Sequence, residues 1–170
     1  VKKVLIIDTS ILCIWLALPH METCGPSNDR WDKHRVGQKL ESELKQQTTF
    51  VLPLATIIET GKHIAQASHR RKECGEALSD LMRKSADNKT PWAAFSDQTL
   101  LWSPDKLKLL ADIWPNLAAE KLSLGDATIK DVAEHYAQMG CDVEILTGDQ
   151  GLKAHQPETP AVIPRRRQRG

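Results

Sequence analysis

The sequence is poor in the features that mark secreted, membrane-spanning or highly charged proteins. Its four cysteines, Cys13, Cys24, Cys74 and Cys141, show neither paired metal-ligand spacing nor a tight disulfide framework. Cys13 and Cys141 fall in apolar helix or helix-end patterns, where a free thiol behaves as a small hydrophobe. A reducing, cytoplasmic setting is the expectation. No uninterrupted apolar stretch is long enough to span a bilayer. Val1-Lys2-Lys3 followed by apolar residues to Leu18 has the outline of a signal peptide, but Asp8 divides the apolar region and no small-x-small cleavage site follows. An excess of one charge is lacking too, since 23 Lys and Arg stand against 22 Asp and Glu. Electrostatic attraction is therefore left to local clusters, the basic ones being Arg70–Lys72 and Arg165–Arg169. The first reads as solvated surface charge; the second reads equally as surface charge or as a nucleic-acid contact. No internal repeat and no linker divides the chain, and no histidine falls within a motif.

What is present is apolar material, 41% of the chain, enough for one core in one domain over residues 1–164, with 165–170 a basic tail. The β-branched run Val4–Ile7 predicts a buried parallel strand, and 48–52, 143–146 and 161–163 predict three more. Thr9 or Ser10 is expected to cap a helix that Pro19 terminates after Leu18, followed by a long loop over 19–31. Asp32 caps a second helix carrying Val36, Leu40 and Leu44. Further helices are expected over 56–66, over 74–85 with Ala77, Leu78, Leu81 and Met82 as the apolar stripe, and after Ser103-Pro104. The last of these presents Leu107, Leu110 and Ala111 and ends before Pro115. Residues 86–104, bearing Trp92, Phe95 and Trp102, read as irregular. A strong helix runs from Asp126 to Met139 with Gly140 as its C-terminal cap. Strands alternating with helices predict an α/β fold with helices on both faces of a parallel sheet. Ligands in such sheets bind at the carboxyl ends of the strands, near a topological switch point.

Four acids recur at that rim. Asp8 and Asp149 directly follow predicted strands, and Glu59 and Asp126 are expected in the first turns of helices starting there. Each has a structural explanation of its own. Thr56-x-x-Glu59 and Ser123-x-x-Asp126 fit capping boxes, Asp8 could be an N-cap, and Asp149 could hold the Thr147-Gly148-Asp149-Gln150 turn. Singly, each is better read as a cap or turn residue. Together they would form a hard oxygen site for Mg²⁺ or Mn²⁺, which points to phosphodiester chemistry. Capping does not exclude this, because one carboxylate oxygen can accept from the backbone while the other faces an ion.

Val4-Leu5-Ile6-Ile7-Asp8-Thr9-Ser10, the Glu59 helix, Leu122-Ser123-Leu124-Gly125-Asp126 and Leu146-Thr147-Gly148-Asp149 together resemble a PIN-domain nuclease. The pattern is most similar to the ribonuclease toxins of toxin–antitoxin pairs, and it covers residues 4–163. The resemblance implies a three-layer α/β/α sandwich around a mostly parallel sheet of about four or five strands. It also implies metal-dependent endoribonuclease activity on RNA, and often a homodimer inhibited by a cognate antitoxin. The 19–31 loop and the 86–104 segment depart from the compact family pattern.

Asp8, Asp126 and Asp149 are the expected principal metal ligands. Glu59 is expected to bind a second ion or orient the attacking water. Ser10 and Thr147 are hydroxyls that could orient these carboxylates, or serve only as turn hydrogen bonders. Without an ion, crowding should raise at least one carboxyl pKa. Asp131 follows Asp126 by five positions and points elsewhere. His63 reads as a solvated helix residue, and the aromatics of 86–104 as anchors to the core rather than platforms for unpaired bases. The rival reading is a non-catalytic PIN-like module that binds RNA or protein, which would have no need of all four acids. A receiver or phosphotransfer domain would need a functional lysine after a strand, and none stands there.

Overall fold

A computed structural model describes residues 1–161. Val162–Gly170, with the Arg165–Arg169 cluster and most of the expected strand at 161–163, lie outside the described residues. Strand β1 (Lys3–Ile7) is central, because four of its five side chains are apolar and fully enclosed on both faces. It pairs in parallel with β4 (Thr49–Val51) on one edge and β5 (Asp142–Leu146) on the other. The order β4-β1-β5 makes the sheet three-stranded, smaller than expected.

Alternation along β1 divides the core in two. Leu5 and Ile7 face a cluster with Leu12, Phe50, Leu52, Ile64 and Leu78, beneath α1 (Thr9–Trp15), α3 (Leu54–Gln66) and α4 (Arg71–Ala86). Val4 and Ile6 face Val132, Ala133, Tyr136, Val143 and Ile145, beneath α6 (Leu124–Gln138). Helices on both faces give the α/β/α sandwich. Both outer edges of the sheet are covered. Phe50 of β4 exchanges backbone bonds with Pro91 and Ala93, and Ile145 of β5 is bonded by the side chains of Lys153 and Gln156. No helix among the described residues is long and apolar enough to cross a membrane.

Several local expectations are corrected. Helix α1 ends at Trp15, before Pro19, because Ala17 enters the left-handed region (φ 55°) and the N–H groups of Ala17 and Leu18 bond back to Ile14 and Cys13. The 19–31 loop contains an antiparallel hairpin, β2 (Thr23–Cys24) with β3 (Trp31–Asp32). Asp32 does cap α2 (Lys33–Lys45), accepting from the Arg35 N–H at 2.8 Å, but Leu44 is exposed and Glu43 is buried instead. Met82 leaves the stripe of α4 and is exposed. A 3₁₀ helix spans Phe95–Trp102 in the segment read as irregular. Trp92 there is buried between Trp15 and Phe50, the anchoring role expected of it, whereas Trp102 is exposed and does not anchor the segment. Helix α5 (Pro104–Ala119) runs through Pro115, and none of its residues is buried.

Near the amino ends of β1 and β4 lies a compensated charge cluster. Glu43, 2% exposed, is bonded by Lys3 (2.6 Å), Lys39 (2.7 Å) and Thr48 (2.6 Å), and both lysines also reach Glu144. Burial alone would raise the Glu43 carboxyl; the three hydrogen bonds outweigh it and hold it at about 2.

Candidate functional site

The chain passes from β1 toward β4 on one side and returns through β5 on the other, so the switch point lies at the carboxyl ends of β1 and β5. Asp8 stands there, 4% exposed. It is the N-cap of α1, yet its side chain makes no capping bond. Its carboxylate instead accepts from Thr147 Oγ1 at 2.6 Å and Ser10 Oγ at 3.0 Å. Both hydroxyls also accept, Thr147 from the Asp149 N–H (2.9 Å) and Ser10 from the Gly148 N–H (3.1 Å). Ser10 and Thr147 thus bridge the ends of two strands, which ordinary turn bonding would not require. Burial raises the Asp8 carboxyl above its usual range, and the charge of Asp149 adds to this against the hydrogen bonds from Thr147, Thr9 and Ser10.

Asp149 is exposed and caps α7 (Gln150–Lys153), accepting from the Gly151 and Leu152 N–H groups at 2.8 and 3.2 Å. Both bonds fall on Oδ1, so the cap and a role for Oδ2 are compatible.

Glu59 lies in the second turn of α3, because the helix starts at Leu54 behind Pro53 rather than at Thr56. The expected capping box is therefore absent, and buried Thr56 donates to the Ile7 carbonyl at 2.9 Å. Glu59 accepts from Thr9 Oγ1 at 3.2 Å. Its other oxygen faces Gly125, where a Cβ would collide with it, so the glycine lets the start of α6 close over this carboxylate. Asp126 follows in the first turn of α6, its N–H bonded to Ser123 Oγ at 3.1 Å.

Asp126 shows that the four acids share one field. Burial pushes its pKa up to about 6, with the charges of Asp8, Asp149 and Glu59 adding to the rise and the Ser123 hydroxyl opposing it. Among the described residues none of the four pairs with a Lys, Arg or His. The cluster is convergent rather than closed. No three His, Cys, Asp or Glu side chains among the described residues already stand close enough to hold an ion between them. The donors are nevertheless all hard oxygens, the set suited to Mg²⁺ or Mn²⁺.

Other residues were not evident in the sequence. Thr9 holds Glu59, a role that only the fold supplies. Hairpin β2–β3 packs on the turn before Asp149. A Cβ at Gly148 would collide with Cys24 Sγ and lie 2.9 Å from the Gly25 nitrogen. Asp131 lines the groove between α5 and α6, away from the rim, as its position in the helix predicted. No family model, no characterised protein and no solved structure matches this chain.

Proposed function

We propose that the chain is a divalent-metal-dependent endoribonuclease of the PIN-domain type, hydrolysing RNA phosphodiester bonds, and that it acts as a toxin-type nuclease held in check by a cognate inhibitor. One observation carries the reading. Four carboxylates converge on the switch point without a cationic partner among the described residues, and burial, with the charges of the other three adding to it, raises Asp126 to about 6. Carboxylates so placed are costly unless something cationic completes them. A cap or turn role accounts for Asp149 but not for Asp8, whose side chain caps nothing.

The residues divide the work by their supports. Asp8, fixed by Thr147 and Ser10, and Asp126, at the start of α6, would be the principal ligands, with Asp149 contributing its free oxygen. Glu59, steered by Thr9 and confined by Gly125, would orient the attacking water. When bound, Mg²⁺ or Mn²⁺ would lower the pKa of a coordinated water and neutralise charge on the phosphate.

The test is cleavage of defined single-stranded RNAs with Mn²⁺ or Mg²⁺. Cleavage should stop with chelator and in purified, folded Asp8→Asn and Asp126→Asn variants. Full activity in both variants would overturn the assignment.

A further inference from the structure

The hairpin in the long loop is built too firmly for a passive connection. It packs against the turn carrying Asp149, at a contact Gly148 permits only by having no Cβ. Its own turn is equally tight. Gly25 has φ +87°, and a Cβ there would lie 2.5 Å from the Asp29 carbonyl oxygen. Cys24, on the first strand, lies against Gly148, whose N–H is bonded to Ser10.

Two arginines flank this hairpin, and both lie close enough to act electrostatically on the Cys24 thiol. Their commitments differ. Arg35 is paired with a carboxylate, its Nη1 meeting Asp29 at 2.8 Å and donating to the Arg30 carbonyl at 3.0 Å, and it lies 3.7 Å over the Trp31 ring. Exposed Arg30 makes one bond, from Nη1 to the Gly25 carbonyl at 2.6 Å, and pairs with no carboxylate among the described residues. Its remaining N–H donors are uncommitted, on a guanidinium already restrained. A rim of four carboxylates repels a polyanion, so a substrate strand needs cationic contacts beside it.

Resting on the nuclease reading above, we infer that Arg30 binds a backbone phosphate of the RNA strand whose neighbouring linkage lies at the acid rim. The planar fork suits phosphate, and the bond to Gly25 reduces the freedom lost on binding. Arg30 acts on binding and placement of the strand, not on the reacting atoms.

The experiment measures affinity of a labelled single-stranded RNA in chelator across salt concentrations, and cleavage kinetics of the same RNA in Mn²⁺. Arg30→Gln keeps a donor for the Gly25 carbonyl and removes the charge. It should weaken binding roughly threefold to tenfold. It should also reduce the salt slope by about 0.7. KM should rise in the same proportion with kcat retained. Arg30→Lys should restore the salt slope but only part of the affinity, since it lacks the fork. A purely structural role would lower the melting temperature in both variants and leave the slope unchanged, overturning the inference. Wild-type cleavage with an unaltered slope in Arg30→Gln would sink the Arg30 contact alone. Arg30-dependent binding without any cleavage in Mn²⁺ would keep the contact and sink the nuclease reading. A wild-type protein that neither binds nor cleaves RNA would overturn both.

Discussion

Asp126 concentrates the strain of the rim in a single proton. The folded protein keeps that proton up to about pH 6, whereas the ordinary value is 3.8. Between those values the folded state binds more protons than the unfolded chain, so the stability this group allows is lost as pH rises through the window. Asp126→Asn removes the charge and keeps an acceptor. Without metal, it should melt above the wild type at pH 7, and the difference should shrink toward pH 4; thermal scans across that range decide it. The same substitution should lower cleavage roughly 100-fold or more, since a ligand is lost. A variant melting below the wild type throughout would show that the ionised carboxylate stabilises the fold. The four acids were legible in the sequence because each closes a short apolar run. Their supports were not, since Thr9 and Gly125 acquire meaning only when α1, α3 and α6 meet.

Two glycines separate precision from stability among the elements around the rim. A methyl at Gly125 would meet the end of the Glu59 side chain, which can swing away. Gly125→Ala should therefore cost little melting temperature but lower cleavage by displacing Glu59. A methyl at Gly148 would meet the short Cys24 side chain and the Gly25 backbone, which cannot yield without moving the hairpin. Gly148→Ala should destabilise by about 1–3 kcal/mol, and denaturant unfolding of both variants would reveal the contrast. Equal stability loss in the two would mean that Glu59 is as fixed as the hairpin. Strand β1 was readable because a strand buried on both faces is written as a continuous apolar run, and β4 and β5 through the shorter apolar pairs Phe50-Val51 and Ile145-Leu146. The two-residue strands of the hairpin are too short for any alternation to appear. Pro53 hid the start of α3 by offering no side-chain cap, and Pro115 concealed the last turn of α5, which tolerates the missing N–H.

Across the whole molecule the two ends of the sheet respond to pH in opposite directions. The cluster around Glu43 is satisfied, and because its carboxyl falls from an ordinary 4.5 to about 2, the stability it gives is lost as pH falls through that interval. The acid rim loses stability as pH rises from 3.8 to about 6. Metal-free protein should thus be most stable near pH 4, where the two windows overlap. Adding Mn²⁺ should raise the melting temperature at neutral pH and move the optimum upward, because an ion that binds only the folded state stabilises it by mass action. Mg²⁺ should need higher concentrations. The response should shrink in Asp8→Asn and Asp149→Asn and persist in Asp131→Asn. Equal responses in all three would place the ion elsewhere.

The hydrogen bond from Thr147 to Asp8 spans 139 residues, because β1 pairs with β5 from the far part of the chain. During synthesis β1 and β4 can meet early, but Asp8 then lacks Thr147 and the neighbouring Asp149, and Ser10 lacks the Gly148 N–H. Asp8 waits at an unfinished edge until β5 leaves the ribosome. Nascent or prematurely terminated chains that stop short of β5 would lack the assembled rim, so whatever chemistry the rim performs begins only once β5 has been made.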